Sequence, residues 1–124
     1  MAIRIFKSRH FNKWCRKEGV TNKMLKVAVQ EVEDGLYEAN LGGFLIKKRV
    51  AKPGHGKRGS YRTIMAYRQG AKIFFLFGFD KNERENIGER ELKALHKLGD
   101  VLIGSTDAVL AKWLKDGELM EVEK

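Results

Sequence analysis

The spacing of apolar positions changes period along the chain, and each change marks a new kind of element. Ile3, Ile5 and Phe6 predict a short first strand. Ser8 is placed to cap a helix running to about Glu18, with Phe11, Trp14 and Cys15 on one face and Gly19 as its stop. Thr21 caps a second helix whose buried stripe is Leu25, Ala28, Val29, Val32 and Leu36, with Gly35 at its end. The short turn between them predicts a helical hairpin.

The pattern then turns to strands. Phe44–Val50 is one and Tyr61–Arg68 the next, separated by a loop from Ala51 to Gly59 that holds Pro53, Gly54, Gly56 and Gly59. Gln69-Gly70 predicts a tight turn, so that Tyr61–Arg68 pairs with Lys72–Phe79 as an antiparallel hairpin. Lys72–Phe79 is apolar on both faces and belongs in the centre of a sheet. On Tyr61–Arg68, Arg62, Ile64, Ala66 and Arg68 share one face and Tyr61, Thr63, Met65 and Tyr67 the other, and the pattern does not decide which is buried.

Helix returns after Phe79. Asn82 and Glu85 form a capping pair, and Leu92, Leu95, Leu98 and Leu102 carry the apolar face. Gly104-Ser105 breaks it. Thr106 caps a last helix with Val109, Leu110, Trp113 and Leu114, Gly117 ends that, and Leu119–Val122 forms a final short strand. The expected fold is α+β: an antiparallel sheet with an N-terminal helical hairpin and C-terminal helices. A chain of 124 residues suits one domain over 1–124.

Composition narrows the function classes. The longest apolar run, Ile73–Phe77, is far below the roughly 20 residues that span a bilayer, so no membrane partner is expected. The first residues lack an apolar signal core. Cys15 is the single cysteine, which excludes a disulfide framework; these features point to the cytoplasm. His10, His55 and His96 fit no zinc spacing.

Net charge is +9, and its location matters more than its size. From Ala39 to Phe79 there is no Asp or Glu, while Lys47, Lys48, Arg49, Lys52, Lys57, Arg58, Arg62, Arg68 and Lys72 lie within it. The remaining chain has 25 − 9 = 16 basic residues against 16 acidic ones, so the whole excess sits in one third of the protein. Such a field attracts a polyanion. A solvated surface kept for solubility is the competing explanation, but solubility does not require a long acid-free stretch.

The glycines of the Ala51–Gly59 loop let its backbone approach a ligand, and Lys52, Lys57 and Arg58 add charge around it. Arg62 follows on a strand, where its fork can grip two phosphate oxygens or form an ordinary ion pair. The loop lacks the Gly-x-x-x-x-Gly-Lys-Ser/Thr pattern of a nucleotide-binding loop. Lys47 and Arg49 precede it. Phe79 can stack on a base or serve as a core aromatic. Lys81 adds a phosphate contact or is solvated. Glu83 is the carboxylate considered for the site, or a helix-start charge, and His55 can move a proton. Trp14, Trp113, Cys15 and His96 read as packing.

Four linked blocks resemble the RelE/HigB superfamily of type II toxin–antitoxin toxins, and its HigB-like branch in particular. They are Leu41-Gly42-Gly43-Phe44, the run Lys47–Gly59, Tyr61-Arg62-Thr63-Ile64, and Phe77-Gly78-Phe79-Asp80-Lys81-Asn82-Glu83-Arg84-Glu85-Asn86-Ile87. The resemblance implies a microbial-ribonuclease-like sheet and a ribosome-dependent mRNA interferase. The mRNA is cut in the ribosomal A site by attack of a 2′-hydroxyl on the adjacent phosphate, with no metal or other cofactor. It further implies that Arg62 stabilises the phosphate, that Lys57 and Lys81 stabilise charge or move a proton, and that Phe79 lies near the scissile site. Partners so implied are mRNA, the ribosome and a cognate helix-turn-helix antitoxin. Some members carry a tyrosine near the C-terminus; Glu118–Lys124 has none, so the general base is unassigned. Two other functions stand as alternatives: a non-catalytic RNA- or ribosome-binding module, which the basic strip fits equally well, and a ParE-like toxin of a protein target, which does not need so phosphate-friendly a loop.

Overall fold

A computed structural model describes residues 3–52 and 60–123. The elements are β1 (Arg4–Ser8), α1 (Arg9–Glu18), α2 (Asn22–Glu33), β2 (Ala39–Gly42), β3 (Leu45–Ala51), β4 (Ser60–Arg68), β5 (Lys72–Asp80), α3 (Glu89–Ile103), α4 (Asp107–Lys115) and β6 (Leu119–Glu121). Caps read from sequence form as expected. Ser8 Oγ accepts the Phe11 N–H at 3.0 Å, Thr21 Oγ1 that of Met24 at 3.2 Å, and Thr106 Oγ1 that of Val109 at 3.3 Å. Each such cap stabilises its helix by roughly 1 kcal/mol.

The sheet is six-stranded in the order β2-β3-β4-β5-β1-β6. β4 and β5 are interior, paired antiparallel from Tyr61–Asp80 to Arg68–Lys72 across the Gln69-Gly70 turn. The expectation of an antiparallel sheet needs correcting: β1 lies parallel to β5, with Arg4 beside Lys72 and Lys7 beside Phe75. A parallel neighbour requires a long crossover, and everything from α1 to β4 supplies it. Strand β2 was not expected. Ala39-Asn40-Leu41-Gly42 has little strand propensity, and it is held by pairing with β3 at the sheet edge.

Both faces of the sheet are covered. On one, Ile5, Ile46, Val50, Tyr61, Met65, Ile73 and Phe75 pack with Phe11 and Cys15 of α1 and with Leu25, Ala28, Val29 and Val32 of α2. On the other, Phe6, Leu45, Ile64, Ala66, Phe74 and Leu76 meet Leu95, Leu102 and Ile103 of α3 and Leu110 of α4. The face of β4 left open by the sequence is therefore resolved as both. Burial of side chains such as Phe74 and Phe75, fully enclosed here, contributes about 1.5–3 kcal/mol each. A bulge in β5 sets Ile64 opposite Phe77 but Met65 opposite Phe75, so Leu76 is the extra residue.

The expected N-terminal helical hairpin is not shown: the two helices have their principal contacts with the sheet, α1 over β5 and β1 and α2 over β3, rather than with each other. A polar tie also links their starts: Lys7 Nζ donates to Asn12 Oδ1 at 2.9 Å and Asn22 Oδ1 at 3.0 Å. Burial holds the Lys7 ammonium below the usual lysine range.

Three local expectations are corrected. Asn82 and Glu85 cap no helix. Asp80 Oδ1 instead accepts the Asn82 N–H at 2.9 Å, and the helix starts at Glu89, where Glu91 Oε1 accepts the Gly88 N–H at 3.0 Å. Residues 81–88 contain one apolar side chain, Ile87, too little to seat a helix on the sheet. Leu36 is 59% exposed, because α2 ends at Glu33 and Gly35 turns the chain at φ 83°. Val109 is also exposed, while its neighbour Leu110 carries the burial of α4.

Two predictions follow from this packing. A Cβ at position 78 would sit 2.5 Å from ring atoms of Trp14. Gly78→Ala is expected to lower stability by about 1–3 kcal/mol in urea denaturation; an unchanged midpoint would mean that the indole moves freely. Burial pushes the Cys15 thiol up to about 11, so it carries little thiolate at neutral pH. A disulfide reagent at pH 8 should leave the folded protein untouched and label it fully in denaturant.

Candidate nucleic-acid interface

Strand register places like charges side by side. Arg49 of β3 lies opposite Arg62 of β4, and Arg62 opposite Phe79 of β5. Lys47 lies two residues from Arg49 on the same face of β3. Directly opposed cations destabilise a sheet, and the chain answers with Glu38. The Glu38 N–H bonds the Lys47 carbonyl at 2.8 Å, which extends the β2–β3 ladder and turns its carboxylate towards the cations. Arg62 Nε donates to Glu38 Oε1 at 2.9 Å and Oε2 at 3.1 Å, with Lys47 Nζ at 3.6 Å and Arg49 Nη2 at 4.0 Å. Arg62 Nη1 donates to Ser60 Oγ.

The Arg62 side chain is 4% exposed and that of Glu38 28%, whereas half of Arg49 faces solvent. The ion pair considered for Arg62 exists, with its guanidinium buried and its Glu38 carboxylate open to solvent. Removing Glu38 would strand the buried Arg62 charge, which costs more than loss of an exposed pair. Three cations around one carboxylate leave two positive charges in excess.

Beside this cluster lies an aromatic platform. The Arg84 guanidinium carbon is 5.7 Å from the Phe77 ring centre and 5.8 Å from that of Phe79. Glu91 on the first turn of α3 holds it through bonds of 2.6 and 3.3 Å. That mutual bond raises the Arg84 pKa and lowers the Glu91 pKa from their ordinary values. His10 stacks on Phe77 at 5.6 Å with planes 10° apart. Phe79 itself is 4% exposed, so Arg84 and His10 form the outer surface of the platform.

The remaining expected site residues are spread more widely. Lys52 is on the other sheet face, its Nζ 2.5 Å from Asp80 Oδ2 and 5.1 Å from the Tyr61 ring centre. The hydrogen bond to Asp80 holds the Lys52 ammonium above the usual lysine range. Lys48 pairs there with Glu31 of α2 at 3.0 Å. Lys81 is exposed just past β5 and makes no ion pair among the described residues. Glu83 is exposed and, among the described residues, has only its N–H engaged, on the Asp80 carbonyl at 3.0 Å. Lys57, Arg58 and His55 lie outside the described residues. His96 is half-buried with Nε2 3.1 Å from the Leu41 carbonyl, a packing role as expected.

The structure thus brings Lys47, Arg49, Arg62 and Phe79 together and adds Glu38, Arg84 and His10. Glu38 carries no local signal beyond being the last acid before the acid-free stretch. Arg84 stands in the block after β5, but only the fold shows it lying over two rings.

Among the described residues no helix is long and apolar enough to cross a membrane. No curated protein matches the chain significantly. A family model described as the RelE toxin of the RelE/RelB toxin–antitoxin system matches residues 3–122. With nearly the whole length matched, the chain belongs to the RelE toxin family and is the toxin member of a toxin–antitoxin pair, with an antitoxin as cognate partner.

Proposed function

We propose that this toxin is a ribosome-dependent endoribonuclease of the HigB-like kind, cutting mRNA in the ribosomal A site. The observation that carries the proposal is the convergence of Lys47, Arg49 and Arg62 on one sheet end beside an aromatic–guanidinium platform. Cations fixed in advance suit a phosphate whose oxygens gain charge during attack, since fixed donors need no reorganisation at that moment. Arg84 over Phe77 and Phe79 offers an unstacked base a planar surface beside those cations.

In this reading the 2′-hydroxyl attacks the adjacent phosphate, and a cyclic phosphate and a 5′-hydroxyl result, without metal or cofactor. Lys57 and Arg58 of the glycine loop and Lys81 after β5 add charge around the phosphate or carry a proton. Residues 1–124 act as one toxin domain in the cytoplasm. A helix-turn-helix antitoxin neutralises it.

The test is induced expression followed by 5′-end mapping of transcripts. Arg62→Ala is expected to reduce cleavage by about 10²–10³-fold, the usual cost of losing one fixed donor. Arg68→Ala removes a cation of the same acid-free stretch but lies six residues along β4, about 20 Å away, and should leave cleavage near the wild-type level. Equal loss in both variants would mean that net charge, not this cluster, does the work. Binding of RNA with no new transcript ends would point to a non-catalytic module. Toxicity with neither would point to a protein target.

A further inference from the structure

RNA cleavage by a 2′-hydroxyl needs a group to take that hydroxyl's proton, and none of the lysines and arginines above is a base in its charged form. Glu38 has the right chemistry and position. Among the described residues it is the carboxylate that touches Arg62, and it lies within 4.0 Å of Lys47 and Arg49 as well. Its side chain is 28% exposed where Arg62 is 4% exposed, so an incoming strand reaches the carboxylate before the guanidinium. A groove of about 320 Å³ opens beside it, lined also by Leu36, Tyr37, Lys48 and Arg49.

Resting on the nuclease reading above, we propose that Glu38 is the general base of the cleavage. Its carboxylate takes the proton of the 2′-hydroxyl as the 2′-oxygen bonds to phosphorus. The bond from phosphorus to the 5′-oxygen breaks, the electron pair leaves with that oxygen, and water returns a proton to it. The products are a 2′,3′-cyclic phosphate and a 5′-hydroxyl. Arg62 keeps the carboxylate aimed through its Nε, the half-exposed Arg49 faces the phosphate oxygens from the solvent side, and the more buried Lys47 adds positive charge beside them. The charged groups facing Glu38 are thus Lys47 and Arg49 from β3 and Arg62 from β4. Lys48 lines the groove with its ammonium on Glu31 of α2, and Tyr37 is the titratable chain neighbour.

Glu38→Gln keeps the size of the side chain and an oxygen for Arg62, but removes the base. In the full-length protein acting on ribosome-bound mRNA, single-turnover cleavage should fall about 100-fold or more. Binding of an mRNA methylated at the 2′-oxygen of the cleaved nucleotide should stay as tight or become tighter, because a negative charge has left the surface. Any fall of wild-type activity towards acid pH should be absent from this variant. Glu38→Asp should be slower than wild type yet keep that decline, and it decides the matter alone if the Gln variant does not fold. Near-wild-type cleavage by either variant overturns the proposal. Equal loss of binding and cleavage in Glu38→Gln with the acid decline intact also overturns it, since Glu38 would then be a structural counter-ion. In both cases the nuclease reading stands. A wild-type protein that cuts no mRNA removes that reading and this one together.

Discussion

Strands β4 and β5 run side by side from Tyr61–Asp80 to Arg68–Lys72, and the other elements take their places from that pairing. Met65 and Phe75 point to the face covered by α1 and α2, while Ile64 and Phe74 point to the face covered by α3 and α4. Because both faces are covered, β5 is apolar from Ile73 to Phe79, as strands buried on both sides are. The bulge at Leu76 keeps Phe77 and Phe79 on the same side as Arg62 at the end of the hairpin. The aromatic platform and the guanidinium therefore share one rigid frame. A shift of one residue in this register would send Arg62 under α1 and α2.

That frame imposes an electrostatic problem. A stretch without acids must fold into neighbouring strands, so Arg49 and Arg62 come face to face. Glu38 resolves the conflict from outside the stretch, and its carboxylate sits where three cations can share it. Elsewhere the same stretch donates cations to structure: Lys48 to Glu31, Lys52 to Asp80, and Lys72 to the Ser105 carbonyl at 3.4 Å. The charge that reads as one block in sequence is divided by the fold into structural ties on several sides and a residual excess at one sheet end. A polyanion feels that excess at long range, while the ties hold the strands that position it.

Membership of the RelE toxin family gives this arrangement a biological setting. Phosphate recognition asks for donors that are already in place, and side chains on strands meet that demand better than side chains on loops. Arg62 is locked at both ends, by Glu38 through Nε and by Ser60 through Nη1. Arg84 is locked by Glu91 over its two rings. In each case a carboxylate fixes an arginine, and the fixed arginine shapes a surface.

The sequence by itself determined every element but β2, and most of their ends. Ser8, Thr21 and Thr106 cap as read, and Gln69-Gly70 turns as read, because such signals act within about four residues of themselves. It also located the positive stretch and the family blocks. Where the signal was only local and lacked an apolar stripe, as at Asn82 and Glu85, tertiary packing overruled it. Strand β2 was hidden for the converse reason: its residues have no strand preference, and β3 holds them. What only the tertiary structure decided is which partner each charge meets. Glu38 and Arg62 are 24 residues apart, and Lys52 and Asp80 are 28 apart. Such pairs follow from strand register and from the face on which each side chain emerges, and no spacing along one segment encodes either.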